Sequence, residues 1–144
     1  TTLCVALVSP QRSVFFQIGD GAIVLRRQRT YGAVFWPQSG EYANSTNFLT
    51  GTSYAENLEY LAIAGPNVDV ALMTDGVERL ALDFQGRTPH VPFFDPLFSA
   101  LRANPDRPAL EQSLEQFLNS EPVTSRSDDD KSLILASRIE AAHA

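Results

Sequence analysis

Three aspartates sit at the ends of apolar runs, where a folded chain would bring carboxylates together. Asp20 follows the run Val14–Ile18 and precedes Gly21. Asp75 follows Val68–Met73 and precedes Gly76, and Asp129 lies in the acidic triplet just before Ser132–Ser137. Antiparallel neighbours place the end of one strand beside the start of the next. Asp75 and Asp129 therefore share a sheet edge if their strands pair. Asp20 joins them if its strand runs in the same sense as that of Asp75. Three crowded carboxylates repel each other until something neutralises them. Hard divalent cations do so through oxygen ligands, which points to Mg²⁺ or Mn²⁺. Two such ions ~3.5–4 Å apart can activate a water for attack on phosphorus.

Each signal has an ordinary structural alternative. Asp20-Gly21 alone reads as a type I′ turn between two strands. Asp75-Gly76 alone is equally a strand-to-helix cap, since Asp caps helices well. Asp128-Asp129-Asp130 alone is a solvated acidic turn. The order and spacing of the three together make the metal reading.

The elements that must position these residues are legible from pattern. Thr2–Val8 is a continuous apolar run, as expected of a strand buried on both faces. Val14–Ile18 and Ala22–Gln28 follow, and Asp-Gly between them predicts a hairpin, giving three antiparallel strands in succession. Thr30–Ser53 carries Gly32, Pro37, Gly40 and Gly51 and reads as a long loop anchored by Phe48-Leu49, of a length often tied to function. Leu58–Ala64 and Val68–Met73 are two further strands. A short helix follows with Val77, Leu80, Ala81 and Phe84 on one face, stopped by Gly86. Asp95-Pro96 opens a second helix with Leu97, Phe98 and Leu101 facing the core. Asp106 caps a third, with Leu110, Leu114, Phe117 and Leu118 at helical spacing, and Pro122 ends it. Strands, then helices, then one returning strand describe an α+β domain with helices beside an antiparallel sheet. Residues 1–144 form one domain.

Composition narrows the partners. The chain has 144 residues, 44% hydrophobic and 19% charged, with a net charge of −6. That balance excludes a disordered tail and disfavours nucleic acid. No apolar run approaches the ~20 residues of a membrane span, so no membrane partner is expected. One cysteine, Cys4, excludes an internal disulfide and suits a reducing compartment, here the cytoplasm. The chain opens at Thr1 directly into a strand, which reads as a cut through a fold.

These residues together resemble a family. Gly19-Asp20-Gly21-Ala22 is similar to the "GDSR"-type turn of metal-dependent protein phosphatases of the PP2C class. Met73-Thr74-Asp75-Gly76-Val77 resembles that class's "(S/T)DG" metal motif, and Asp129-Asp130-Lys131-Ser132-Leu133 its C-terminal "DNxT" or "DDxT" motif. Residues 39–46, Ser39-Gly40-Glu41-Tyr42-Ala43-Asn44-Ser45-Thr46, add a resemblance to a bacterial, signalling subgroup. The likeness runs from Thr2 to about Arg138 and matches the C-terminal part of the family domain.

The resemblance implies an α-β-β-α sandwich of two antiparallel sheets flanked by helices. It implies Asp75 and Asp129 as ligands of a binuclear Mn²⁺ or Mg²⁺ centre, and Asp20 as a ligand of a weaker third ion. It implies hydrolysis of phosphoserine and phosphothreonine in proteins by a metal-activated water. The family's upstream acidic motifs and its phosphate-binding arginine have no counterpart here. The resemblance therefore implies a missing N-terminal portion, supplied by an upstream half of the same domain or by a second chain. This chain alone is expected to be inactive.

Two other readings stay open. One is a pseudophosphatase or phosphoprotein-binding module on the same fold. The other is a hydrolase with Thr1 as N-terminal nucleophile; it needs a nearby lysine, and the single lysine, Lys131, lies in the acidic turn. Glu41 and Asn44, in the long loop, are candidates to touch substrate, against a plain role in hydrogen-bonding their own loop. Trp36 and Tyr42 read as loop anchors, Arg26, Arg27 and Arg29 as a solvated rim, His90 as a loop residue, and Cys4 as a small core side chain.

Overall fold

Apolar alternation at period two sorts the strands into two sheets, each sending alternate side chains into a shared interior. The computed structural model describes residues 1–39, 46–66 and 69–138. One sheet contains β1 (Leu3–Val8), β2 (Arg12–Ile18) and β5 (Glu59–Ala64), in the order β1-β2-β5. The other contains β3 (Ala22–Arg27), β4 (Thr30–Phe35), β6 (Asp69–Met73) and β9 (Leu133–Ser137), in the order β4-β3-β6-β9. All pairings within these sheets are antiparallel. The short strands β7 (Leu82–Asp83) and β8 (Thr88–Pro89) pair with each other.

The core has two layers. Between the sheets, Phe15 meets Ile23, Leu25 and Val70, with Cys4, Ala6, Val34 and Ile63 beside them. The opposite face of the four-stranded sheet presents Ala22, Val24, Ala71 and Met73 to the helices. These are α2 (Asp75–Ala81), α3 (Val91–Ala103), α4 (Arg107–Leu118) and α5 (Glu121–Thr124). Phe94 and Phe98 of α3 are fully buried there, and Tyr31 of β4 stacks on both, at 5.5 and 6.2 Å between ring centroids. A one-turn helix, α1 (Tyr54–Asn57), precedes β5.

Helices thus cover one sheet only among the described residues. The outward rows of the other sheet, Val5-Phe16-Tyr60 and Leu7-Val14-Ala62, are apolar in register. Tyr60 is 73% exposed and Leu7 59%.

Several sequence expectations give way. Asp20-Gly21 makes no hairpin: β2 and β3 lie in different sheets, and Gly19-Asp20-Gly21 carries the chain across the sandwich. Gly19 takes φ +105, which a side chain would resist. The first three strands are therefore not consecutive neighbours. The loop expected from Thr30 contains β4, an edge strand whose Gly32 and exposed positions hid its pattern. The first helix ends at Ala81, short of Gly86, so Phe84 leaves the helix and sets its edge against Trp36, 5.4 Å between centroids. The second helix starts at Val91, with His90 as N-cap and Pro92 in the first turn. Pro96 lies inside it, and Asp95 accepts the Tyr31 hydroxyl at 2.9 Å instead of capping. Pro122 begins α5 rather than ending α4, which stops at Leu118. Asp106 does cap α4, accepting from the Ala109 amide at 3.2 Å.

Arg26 is not a solvated rim residue. It pairs with Asp69, whose side chain is 0% exposed. Arg102 of α3 donates to both Asp69 oxygens at 2.7 and 2.8 Å, and the Ser137 hydroxyl donates at 2.6 Å. Arg26, Asp69 and Ser137 are cross-strand partners on β3, β6 and β9, so one carboxylate ties three strands and a helix.

Candidate metal centre

Strand sense brings the three aspartates to one edge. β6 is antiparallel to β9 and to β3, so Met73 lies opposite Leu133 on one side and Ala22 on the other. The end of β6 therefore stands beside the starts of both neighbours. Asp75 follows the first, Asp129 precedes the second and Asp20 precedes the third. The strand pairing on which a shared edge for Asp75 and Asp129 depends, β6 with β9, is present. Asp20 reaches the same edge through the crossover between sheets.

A cavity of about 220 Å³ opens there, lined by Asp20, Gly21, Thr74, Asp75, Ser132 and Cys4 among others. Asp129 faces a neighbouring groove with Asp128 and Asp130. The acidic turn is pinned from two sides. Lys131 Nζ donates to the carbonyls of Ser127 and Asp129 at 2.8 and 2.9 Å. The Thr74 hydroxyl donates to the Asp130 carbonyl at 3.1 Å and accepts the Ser132 amide at 3.0 Å. Gly76 permits this closeness, because a Cβ there would meet the Asp130 carbonyl oxygen at 2.5 Å.

The electrostatics report the same convergence. Glu78, three residues after Asp75 on α2, has its carboxyl pushed up to about 7. Burial is the largest cause, followed by the Asp75 charge; Arg79 opposes them, while Asp20 and Asp129 add to the rise. Burial, and then the Asp20 charge, push the Cys4 thiol up to about 11. One half-buried carboxyl thus feels all three aspartates.

Among the described residues, the donors at this edge are carboxylates and carbonyls, which suit a hard divalent cation in kind, and the Cys4 thiol beside them is held protonated by burial. The donor set is incomplete in number. Among the described residues, no three His, Cys, Asp or Glu side chains stand close enough to form a cation site by themselves. Glu41 and Asn44 lie outside the described residues. Sequence reading passed over Glu78 and the Thr74 hydroxyl. Glu78 was detectable, since i and i+3 share a helix face with Asp75. Thr74 was not, since its partners are 56 and 58 residues away.

Two sheets with metal-type carboxylates gathered at one edge define the class to which the sequence matches lead. A family model described as protein phosphatase 2C matches residues 1–119. The chain belongs to that family. It is 42% identical over 130 residues to serine/threonine-protein phosphatase 3 of Escherichia coli (strain K12), covering 89% of this chain and 51% of that protein. The chain thus spans about half the length of this curated relative. A crystal structure of a bacterial serine phosphatase shares the fold with a TM-score of 0.62 at 15% identity, covering 99% of this chain and 59% of the other. An arginine-to-alanine variant of a bacterial serine phosphatase gives 0.58 at 16% identity, covering 94% and 52%.

Proposed function

We propose that this chain is part of a cation-dependent phosphatase acting on phosphoserine and phosphothreonine in proteins. The observation that supports the reading is the strand register, which sets the end of β6 beside the starts of β3 and β9 and so draws Asp20, Asp75 and Asp129 to one sheet edge. Asp75 and Asp129 hold Mn²⁺ or Mg²⁺, with Asp20 toward a third, weaker ion. When bound, such ions cancel the carboxylate charge, polarise the phosphoryl group and make water a competent nucleophile near neutral pH. The chain's own residues supply the rest. Gly76 and Thr74 keep the backbone of the 129–132 turn close to the start of α2, and Lys131 holds the acidic turn in shape. The Gly19-Asp20-Gly21 crossover delivers Asp20 from the seam between the sheets.

The site is completed by a segment outside this sequence or by a second chain. Two observations support this: the donor set stops short of a full site among the described residues, and the outer rows of the three-stranded sheet are uncovered. This chain alone is therefore inactive as a phosphatase. The reading extends to bacterial phosphoprotein signalling in the cytoplasm. No specific observation favours the N-terminal threonine or the binding-module alternative.

The test is Mn²⁺-dependent hydrolysis of p-nitrophenyl phosphate by the complete protein. Asp75→Asn and Asp129→Asn should each lower turnover at least about a hundredfold, as loss of charge stabilisation at a reacting phosphate does. Near-normal turnover in both variants removes the assignment.

A further inference from the structure

Thr74 occupies the N-cap position of α2, with extended backbone at φ −82 and ψ 167, yet its side chain makes no capping hydrogen bond. A threonine at that position ordinarily accepts from the second or third amide of its own helix. Here the hydroxyl is committed elsewhere. It donates to the Asp130 carbonyl and accepts the Ser132 amide, across 56 and 58 residues of sequence. Alongside it, the Thr74 amide donates to the Ser132 carbonyl at 3.1 Å. The β6–β9 ladder stops at Met73 and Leu133, so these three bonds extend the pairing one step beyond it, to the residues that carry Asp75 and Asp129. Gly76 completes the contact by leaving room for the Asp130 carbonyl.

From this geometry we propose that Thr74 is a positioning residue: its hydroxyl clasps the 129–132 turn to the start of α2 and sets the Asp75–Asp129 separation before any cation binds. The proposal rests on the metal reading above for its consequence, and on the hydrogen bonds for its cause. The helix gives up a side-chain cap, and the turn gains a fixed place. Pre-set donors bind a cation more tightly than donors that must first be ordered.

The experiment compares wild type, Thr74→Ser and Thr74→Val in the complete protein, with Asp75→Asn as a control. Amide exchange at Ser132 is read without metal, and Mn²⁺ affinity by calorimetry. Thr74→Ser keeps the hydroxyl and should match wild type in both. Thr74→Val should speed exchange at Ser132 about tenfold and weaken Mn²⁺ binding about tenfold, the loss of two modest hydrogen bonds. The urea m-value should stay constant, and Thr74→Ala serves the same purpose if the valine variant does not fold. Unchanged exchange at Ser132 in the variant lacking the hydroxyl overturns the clasp. So does an unchanged Mn²⁺ affinity in that variant when Asp75→Asn weakens binding. If Asp75→Asn leaves Mn²⁺ affinity intact, the metal reading fails by itself, and the exchange arm still decides the clasp.

Discussion

Replacing Asp69 by asparagine tests the tie that holds the four-stranded sheet to its helices. The carboxylate is fully buried and carries two arginine partners and a serine hydroxyl. Asparagine keeps the shape and removes the charge, leaving Arg26 and Arg102 facing a neutral amide. Breaking a fully buried pair by removing one partner costs roughly 3–5 kcal/mol. The two arginine side chains are 20% and 31% exposed, so water recovers part of that loss. We therefore expect a loss at the low end, about 3 kcal/mol, read as a lower urea midpoint at unchanged m-value. Asp69 opens β6 and Asp75 lies two residues past its far end, so the strand alone sets them roughly 13 Å apart. The variant should for that reason lose stability while Mn²⁺ affinity stays within about twofold of wild type, as expected of distant independent sites. A stability change under about 1 kcal/mol, the range of exposed ion pairs, would refute the assignment of Asp69 as a buried anchor.

Two more outcomes follow from the acidic edge. Glu78 has a folded-state pKa raised to about 7 from an ordinary 4.5, so the folded protein holds its proton over a window where the unfolded chain has lost it. Stability of the metal-free protein should fall as pH rises between those two values and level off above them, and Glu78→Gln should flatten that slope; an identical pH profile in the variant would contradict the raised Glu78 carboxyl, whose causes are burial first and the neighbouring carboxylates second. Millimolar Mn²⁺ should raise the melting temperature of the complete protein, because the ion binds the folded state preferentially. A melting temperature indifferent to Mn²⁺ in wild type would count against the carboxylate site.

Much of the candidate edge was readable along the chain. Asp20, Asp75 and Asp129 each punctuate an apolar run, and runs of that kind become strands whose ends are the natural places for ligands. Apolar runs also exposed β1, β2, β3, β5, β6 and β9, and the Asp106 cap marked α4. These are local properties: side-chain alternation, turn chemistry and capping depend on residues a few positions apart. The boundaries of α2 and α3 were less legible. Leu82 and Asp83 end α2 by pairing with Thr88 and Pro89, and Pro96 is tolerated within α3 because that helix is anchored by Phe94 and Phe98.

The sequence by itself determined which residues could serve as ligands and that their strands would be antiparallel. Tertiary structure decided which strands became neighbours. Asp-Gly after β2 favours a hairpin by local rules, and the crossover was settled against that preference by burying Phe15 with Ile23 and Leu25 from the opposite sheet. The same long-range packing set β9 beside β6, put Asp69 between two arginines and turned the Thr74 hydroxyl away from its helix toward Asp130. Those contacts join residues dozens of positions apart. No local pattern encodes them, because their free energy arises only when the whole sandwich closes.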